Sequence, residues 1–427
     1  MLQKFFYIET RGCQMNFHDS EKIMGILKRE GYLPTDEPKK ADLIIFNTCS
    51  IRKKPEEKLF SSLGRLKSLK KQKPLLKIAV CGCIAQQKGE ELFKRASHVD
   101  YIFGPQNISK LPSILTFEKG VFLEENPEIQ YEELPAERID GVRASVTVMY
   151  GCNNFCSYCV VPFTRGREKS RPLDKIIDEV KGLAAQGYKE IQLLGQNVNS
   201  YRDGERDFSE LLKRINDIQG IERIRFITSH PRDLTEKLIR TMADLEKVCE
   251  HLHLPIQSGS DRILKLMNRG YSYEEYKGKV ELLRTYIPDI AITTDIIAGF
   301  PSETEEDHYC TLKALEEIQY DGIFAFKYSR RPGTKAAEMP EQVPEDIKSR
   351  RLSEILKLQD TITLKKNTGL IGTIQEVLIE GKAETGQTMA RTRTNKIVLF
   401  NEDIPSGLIV KARITQARIH SLLAELL

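Results

Sequence analysis

The 427-residue sequence contains no run approaching the roughly 18 apolar residues that a membrane-spanning helix needs. Its first residues, MLQKFFYIETRGC, begin directly with a strand-like pattern and lack the basic and then apolar segments of a secretory signal. Both absences favour a cytoplasmic protein without membrane contact. The excess of positive charge is small, at +4. Charge alone therefore neither requires nor excludes a nucleic-acid partner.

The nine cysteines are not expected to form a disulfide framework, because the cytoplasm keeps thiols reduced. Metal or redox chemistry is the better interpretation. Their distribution is uneven: Cys13, Cys49, Cys81 and Cys83 lie in the first fifth, Cys152, Cys156 and Cys159 form one tight group, and Cys249 and Cys310 stand alone. This distribution predicts two sites, one in each of two domains.

The pattern of apolar runs predicts an α/β protein with three folded parts. Up to about residue 110, short β-rich runs alternate with helical stretches, as in a parallel α/β domain. From about 145 the alternation resumes as six strand-helix units, which predicts a partial (β/α)6 barrel closed by a long helix. After Gly369, alternating segments split by glycines predict a small antiparallel β-barrel. We place the boundaries at 1–118, an acidic linker at 119–137, 138–367 and 368–427.

The loop triad, Cys152, Cys156 and Cys159, has the spacing CxxxCxxC directly after the first strand of this barrel. Structural zinc takes four ligands, and no fourth Cys or His lies nearby in sequence. A 4Fe-4S cluster can be held by three thiolates, which leaves one iron open. That iron can bind S-adenosylmethionine, whose reductive cleavage yields a 5′-deoxyadenosyl radical. The spacing resembles the radical S-adenosylmethionine superfamily; zinc or a chance spacing is the alternative.

Candidate contacts to S-adenosylmethionine follow from this resemblance. It implies that Tyr158, the aromatic residue before the third cysteine, packs near the adenine; a packed loop aromatic is the alternative. Loops at the carboxyl ends of the later strands would converge over the cluster. The candidates there are Gly195, Gln196, Ser229, Gln257, Ser258, Gly299 and Pro301. Glycine and proline also end strands for local reasons, so each residue remains open individually. Buried, hydrogen-bonded histidines explain His251 and His253 better than a metal site.

The auxiliary triad, Cys13, Cys49 and Cys83, is predicted to lie on one edge of the N-terminal sheet. Each of these cysteines follows a β-rich run, and the carboxyl ends of parallel strands share the edge where ligands bind in open α/β folds. Cys13 and Cys83 are preceded by glycine, which allows close approach of the backbone. Scattered buried cysteines are the competing interpretation. Cys81 ends its strand and is expected in the core.

Over essentially the whole chain, the sequence resembles the methylthiotransferase family. The strings that carry the resemblance are TRGCQMN, FNTCSIR, CGCIAQ, YGCNNFCSYCVVPFTRGRE and TSHPRDL. The resemblance implies that the auxiliary triad holds a second 4Fe-4S cluster, whose open iron carries the sulfide to be methylated and transferred. It implies two S-adenosylmethionine molecules per turnover. The C-terminal barrel resembles the TRAM domain.

The strings around the cysteines resemble the bacterial branch that methylthiolates carbon 2 of N(6)-dimethylallyladenosine at tRNA position 37. The alternatives within the family are threonylcarbamoyladenosine in tRNA and an aspartate of a ribosomal protein. The C–H bond at carbon 2 has neither useful acidity nor a leaving group, which favours radical chemistry. A different class is an RNA-binding or electron-transfer protein with structural clusters. Such a protein would carry four protein ligands per cluster. The sequence offers three cysteines for each of two clusters, which favours catalysis.

The expected partners are a tRNA anticodon stem-loop, a flavodoxin-like or ferredoxin-like electron donor and a sulfur source, with a monomer as the default state. The candidates for RNA contact are Arg165, Arg167 and Arg171 beside the loop triad, and Arg391, Arg393 and Lys396 in the last domain. The basic stretch from Arg52 to Lys77 is a further candidate, although charged helix faces are usually only solvated.

Overall fold

The computed structural model describes residues 3–50, 53–124 and 134–427, without the side chains of 53–55. The chain forms two compact units. Unit 1 comprises residues 1–139, 150–153 and 159–169, and unit 2 comprises residues 140–149, 154–158 and 170–427. No helix in the described residues is both long enough and apolar enough to cross a membrane.

Unit 1 is built on one parallel sheet. Its strands are β1 (Lys4–Arg11), β2 (Tyr32–Pro34), β3 (Leu43–Thr48), β4 (Lys77–Cys81), β5 (Tyr101–Phe103) and β6 (Gly120–Phe122). Its helices are α1 (Gln14–Arg29), α2 (Lys53–Gln72), α3 (Cys83–Lys88), α4 (Glu91–Arg95), α5 (Leu111–Ile114) and α6 (Val161–Thr164), with a 3-10 helix at Pro105–Lys110. The strand order is β2-β1-β3-β4-β5-β6, and every pair is parallel.

The central strands of this sheet explain why the sequence predicted it. Every residue of β3 is buried, as expected for a parallel strand that is covered on both faces. Strand β6 corrects the prediction, because it lies within the segment 119–137 that was interpreted as a linker, and it pairs with β5. A strand of three residues is too short to show a two-residue period. Residues 125–133 of that segment lie outside the described residues.

The first part of unit 2 is the predicted partial barrel. Its strands are β7 (Arg143–Thr147), β10 (Glu190–Leu194), β13 (Arg223–Phe226), β14 (His251–His253), β15 (Ala291–Ala298) and β16 (Gly322–Lys327). They form two three-stranded parallel sheets, β7-β10-β13 and β14-β15-β16. A parallel bridge between Ile224 and Val248 continues the order from one sheet to the next.

Helices and short strands connect these six strands or follow the last of them. The helices are α7 (Leu173–Ala185), α8 (Phe208–Asn216), α9 (Glu236–Asp244), α10 (Asp261–Leu266), α11 (Tyr273–Tyr286), α12 (Glu305–Ile318), α13 (Lys335–Glu338) and α14 (Glu345–Thr368), with 3-10 helices at Val198–Ser200 and Pro231–Asp233. The short strands are β8 (Met149–Tyr150), β9 (Lys169–Ser170), β11 (Arg202–Asp203) and β12 (Arg206–Asp207). The long helix predicted to close this part is α14.

One face of each barrel strand packs against the helices. Ile191, Leu193, Ile292 and Ile296 belong to the same hydrophobic core as residues of α7, α8 and α9. Since side chains alternate along a strand, the residues between them point into the barrel. The helices therefore form the outer layer, and the carboxyl ends of the strands carry the loops in which we predicted cofactor contacts.

The C-terminal strands close into a barrel of their own. They are β17 (Ile374–Lys382), β18 (Thr388–Thr392), β19 (Ile397–Phe400), β20 (Ile409–Ala417) and β21 (Leu422–Leu426), in the order β17-β18-β19-β21-β20. The predicted small barrel is thus confirmed, with one difference: β19 and β21 pair in parallel. An odd number of strands cannot close with antiparallel pairs alone.

Candidate active site

The auxiliary triad lies on one edge of the unit 1 sheet. Cys13, Cys49 and Cys83 follow the carboxyl ends of β1, β3 and β4, which are neighbours in the sheet. The register pairs Arg11 with Thr48, and the amide of Cys49 donates to the carbonyl oxygen of Arg11 at 2.8 Å. The structure therefore brings together three residues that are far apart in sequence, as the rule for parallel sheets predicts.

Two glycines and two asparagines shape the backbone around this triad. A Cβ on Gly12 would lie 2.7 Å from the Cβ of Cys49, and a Cβ on Gly82 would lie 2.4 Å from Oδ1 of Asn47. Asn16 Nδ2 donates to Asn47 Oδ1 at 2.9 Å, and Asn47 Nδ2 donates to the carbonyl oxygen of Asn16 at 2.8 Å. Both asparagines are fully buried, and such satisfied polar pairs hold one arrangement rigidly. Both lie within the strings TRGCQMN and FNTCSIR, in which the local sequence gives no sign of their contact.

The three thiols form one electrostatic group with Arg165. Hydrogen bonding from Cys49 lowers the pKa of Cys13 to about 6 and that of Cys83 to about 7, and it raises the pKa of Cys49. The positive charge of Arg165 also lowers the pKa of Cys13 and Cys83. Its guanidinium donates to Asp19 at 2.7 Å, and both side chains are buried. The environment thus favours the thiolate, the form that binds iron, at Cys13 and Cys83.

The loop triad lies within eight consecutive residues, between the end of β8 and the start of α6. Cys152 is buried, and Cys156 and Cys159 are partly exposed. In unit 2, Arg269 donates to the sulfur of Cys156 at 3.3 Å and to the hydroxyl of Tyr158 at 3.4 Å. Arg269 is itself buried and anchored on the carbonyl oxygen of Pro255 at 2.8 Å. Arg269 belongs to none of the motifs found in the sequence, so the sequence alone did not predict its contact with Cys156.

Both cysteine sets fit iron-sulfur clusters better than a single metal ion. A cubane cluster binds one thiolate at each iron, so its ligands need not converge on one point. Each set supplies three thiols, the number that holds a 4Fe-4S cluster and leaves one iron open. His251 and His253 both lie within hydrogen-bonding distance of Thr293 Oγ1, at 3.2 and 3.0 Å, which agrees with the non-metal interpretation. Cys81 is fully buried in the core, as expected.

Several of the predicted cofactor-contact residues have local structural roles. A Cβ on Gly195 would lie 2.5 Å from Met149 Cγ, and one on Gly299 would lie 2.3 Å from Lys348 Cγ. The hydroxyl of Ser258 accepts from the amide of Ser260 at 3.2 Å. These contacts explain the glycines and the serine without a ligand. Of the others, Gln257 has a left-handed backbone with φ +73°, Pro301 is buried, and Tyr158 packs against the cluster of Ile263, Met267 and Phe300.

Other side chains at the ends of β10 and β13 have buried polar atoms without a partner. Within the described residues, the atoms with no hydrogen bond include Gln196 Oε1, Asn197 Oδ1, Ser229 Oγ and His230 Nε2. Buried polar atoms are nearly always paired in folded proteins, so a group of unpaired ones points to a polar ligand. They lie where the sequence predicted cofactor contacts, at the carboxyl ends of barrel strands.

The predicted basic surface beside the loop triad is not formed by all three arginines. Arg167 is exposed, but Arg165 and Arg171 are buried. Arg165 is paired with Asp19, and Arg171 donates to Glu179 at 2.7 Å and to the carbonyl oxygen of Thr147 at 2.6 Å. Burial removes both guanidinium groups from the surface that a phosphate could reach. Of the Arg52 to Lys77 stretch, Arg52 lies outside the described residues, and most of the rest forms α2.

The basic residues of the C-terminal barrel are engaged within unit 2. Arg391 pairs with Glu380 at 2.6 Å, Arg393 with Glu250 at 2.7 Å, and Lys396 with Asp321 at 3.0 Å. In addition, Arg225 donates to the carbonyl oxygens of Thr392 and Arg393 at 2.6 and 2.7 Å, and Arg223 donates to that of Arg391 at 2.8 Å. These contacts attach the β18–β19 turn to the partial barrel. A role of Arg391, Arg393 and Lys396 in RNA contact stays a prediction.

Three family profiles match the chain. One described as uncharacterized protein family UPF0004 covers residues 5–104, the radical SAM superfamily covers 146–315, and the TRAM domain covers 370–427. Curated proteins named tRNA-2-methylthio-N(6)-dimethylallyladenosine synthase match nearly the whole length. That of Thermodesulfovibrio yellowstonii is 56% identical, covering 99% of this chain and 98% of the relative. That of Carboxydothermus hydrogenoformans is 51% identical, covering 99% of both.

Solved structures support the fold. The radical S-adenosylmethionine methyltransferase TsrM from Kitasatospora setae, with tryptophan and an S-adenosylmethionine analogue bound, has a TM-score of 0.57 at 15% identity, covering 78% of this chain and 75% of that one. The cobalamin-dependent S-adenosylmethionine radical enzyme OxsB has a TM-score of 0.55 at 12% identity, covering 84% of this chain and 58% of that one.

Proposed function

Because the chain belongs to the family of tRNA-2-methylthio-N(6)-dimethylallyladenosine synthases, we propose that it attaches a methylthio group to carbon 2 of N(6)-dimethylallyladenosine at tRNA position 37. The observation that carries the proposal is the meeting of Cys13, Cys49 and Cys83 at one sheet edge, in a chain that also has the CxxxCxxC loop. A radical enzyme that only abstracts hydrogen needs one open cluster, whereas sulfur transfer needs a second site.

The proteins of this family carry two 4Fe-4S clusters and use S-adenosylmethionine. When bound, the clusters supply the electron that cleaves S-adenosylmethionine and an iron that can bind sulfur. We assign the loop triad to the first cluster and the auxiliary triad to the second. Arg269, which donates to the sulfur of Cys156, tunes the first site, because a hydrogen bond to a ligand sulfur stabilises the reduced cluster. Arg165 offsets negative charge at the second site.

For S-adenosylmethionine, the unpaired atoms of Gln196, Ser229, Asn197 and His230 are the best-supported contacts. They can donate to or accept from the amino-acid and ribose groups of the cofactor, whose polar atoms need partners once they leave water. Tyr158 offers an apolar ring for the adenine. Gly195, Gln257, Ser258, Gly299 and Pro301 shape the same loops and stay in the proposal as backbone contacts.

The proposal also includes the partners and the location. The substrate is the anticodon stem-loop, where an unstacked base can be presented to a pocket. Exposed Arg167 is the best-placed of the first three basic candidates. We retain a flavodoxin-like or ferredoxin-like electron donor, a sulfur source, a monomeric state and a cytoplasmic location. The domain boundaries 1–118, 119–137, 138–367 and 368–427 are retained, except that β6 belongs to the first domain.

The test is mass spectrometry of nucleosides from the total tRNA of a strain that lacks this gene. We expect the methylthio form of N(6)-dimethylallyladenosine to appear only when the intact gene is restored, and not with the Cys152→Ala variant. A methylthiolated threonylcarbamoyladenosine would move the assignment to another branch of the family. No change in any nucleoside would indicate a protein target and overturn the proposal.

A further inference from the structure

The interior of the partial barrel is polar and partly open. The residues that alternate with the hydrophobic core along its strands include Ser145, Gln192, Arg225, His253, Thr293, Asp295 and Phe324. Barrels that are filled as a core carry bulky branched side chains at these positions. Here Phe324 remains 53% exposed, and the side chain of Asp295 is 33% exposed. The middle of the barrel therefore has room for a molecule that is flat and polar at its edge.

The amino end of the barrel is closed. Glu190 and Arg225 form a buried ion pair at 2.9 Å, and Arg225 also binds the β18–β19 turn through the carbonyl oxygens of Thr392 and Arg393. A ligand in the interior therefore has its free space toward the carboxyl ends of the strands, where the cofactor contacts are proposed.

Asp295 and Phe324 stand together on neighbouring strands of this interior. Asp295 is on β15, and the register pairs it with Phe324 on β16. His253 of β14 links them: its ring is inclined at 73° to that of Phe324, with centroids 5.7 Å apart, and its Nε2 lies 3.5 Å from Asp295 Oδ2. Among the described residues, no group donates a hydrogen bond to the carboxylate of Asp295. An aromatic ring thus lies beside a carboxylate that, among the described residues, has His253 as a close partner and accepts no hydrogen bond.

From this arrangement we propose that Asp295 and Phe324 hold the target base. Phe324 stacks on the adenine, and the carboxylate of Asp295 accepts the hydrogen bond from the N6–H group. Extruded bases are commonly read in this way, by stacking and by hydrogen bonds to the Watson–Crick edge. The ring nitrogens of adenine are acceptors and would repel a carboxylate, whereas a singly substituted N6 keeps one N–H donor. Because C6, the carbon that carries N6, and C2 flank the same ring nitrogen, holding N6 fixes the position of the reacting carbon. This inference rests on the proposed function.

The test removes each partner of the hydrogen bond separately. The substrates are an anticodon stem-loop carrying N(6)-dimethylallyladenosine and the same RNA with N6 additionally methylated, which has no N–H. With reconstituted wild-type protein, we expect kcat/KM to be about 10- to 100-fold lower on the methylated RNA, the usual effect of losing a hydrogen bond to a charged group. In Asp295→Ala, kcat/KM on the natural RNA should fall by a similar factor. On the methylated RNA, kcat/KM of this variant should be little lower than on the natural RNA, because the hydrogen bond is already lost.

Phe324→Leu should raise KM for the stem-loop about tenfold or more, as base-aromatic stacking implies. The matched controls are Asp289→Asn, an exposed carboxylate close before β15, and Phe117→Leu, an equally exposed ring in unit 1. Both should behave as wild type. Iron content and hydrogen exchange of β15 verify that each variant folds.

Two outcomes would overturn the inference: Asp295→Ala as active as wild type on the natural RNA, or the full penalty of N6 methylation persisting in Asp295→Ala. The comparison of the two RNAs in the wild type does not depend on any variant. If the wild-type protein does not methylthiolate the natural stem-loop at all, the proposed function fails instead, and the two failures are thereby distinguished.

Discussion

The buried ion pair between Arg165 and Asp19 leads to a quantitative prediction about unit 1. Arg165 is 7% exposed and Asp19 is 2% exposed, and 2.7 Å separates the charged atoms. Replacing Arg165 by Met keeps an unbranched stem but leaves the carboxylate of Asp19 buried without its partner. Breaking such a pair costs about 3–5 kcal/mol of folding free energy. Replacing both residues, in Arg165→Met with Asp19→Leu, should restore most of this loss, because apolar replacements of buried pairs are often neutral.

The measurement is hydrogen exchange of the α1 amides in the metal-free, reduced protein. A single free energy of unfolding is not defined for a chain with two compact units, so a local probe is required. We expect the opening free energy of α1 to fall by about 3–5 kcal/mol in Arg165→Met. Lys40→Met, which removes the exposed pair with Glu37, is the control and should change it by less than about 1 kcal/mol. A loss below about 1 kcal/mol in Arg165→Met, or additive losses in the double variant, would refute the reasoning.

Four further predictions follow from the described contacts. Alanine variants of the loop triad should abolish S-adenosylmethionine cleavage, whereas those of the auxiliary triad should lose about half of the iron and all methylthiolation but retain uncoupled 5′-deoxyadenosine formation, measured by chromatography. Gly82→Ala should also lose the auxiliary iron, since its Cβ would meet Asn47 at 2.4 Å; Gly31→Ala, with a similar φ of +82° but open space, should not. Arg393→Ala, which frees Glu250, should lower the melting temperature; if Arg393 also contacts a phosphate, as the sequence predicts, the variant should in addition reduce the salt slope of RNA binding by about 1. Burial lowers the pKa of His230 to about 2, so as the pH falls the unfolded chain binds a proton before the folded chain does. The free energy of unfolding therefore decreases below about pH 6.5, by up to about 1.4 kcal/mol per pH unit. His230→Gln should remove that dependence in hydrogen exchange of α9, and an unchanged pH profile would contradict it.

The auxiliary triad shows what the sequence could predict. That each cysteine follows a strand was visible in the alternation of apolar runs, and the common edge follows from the parallel sheet. The adjacency of β1, β3 and β4 was not visible, because strand order depends on long-range packing. Asn16 and Asn47 were missed for the same reason, since their contact joins residues 31 positions apart.

The C-terminal basic residues show where sequence reasoning failed to find the partners. Arg393 is bound by Glu250, 143 residues earlier in the chain, and nothing in the local pattern of either segment indicates that pair. Asp295 and Phe324 were not predicted as site residues for a different reason. The alternation in AITTDIIA indicates two faces of a strand, but it cannot tell whether the polar face meets a filled interior or an open one.

The attachment of the C-terminal barrel depends in part on backbone atoms at its turn. Arg223 and Arg225 donate to the carbonyl oxygens of residues 391, 392 and 393, and a carbonyl oxygen is present whatever the side chain. Substitutions on the β18–β19 turn therefore leave these acceptors in place. These hydrogen bonds therefore tolerate sequence change in the turn, and the outer surface of the barrel can vary while the same two arginines keep their acceptors.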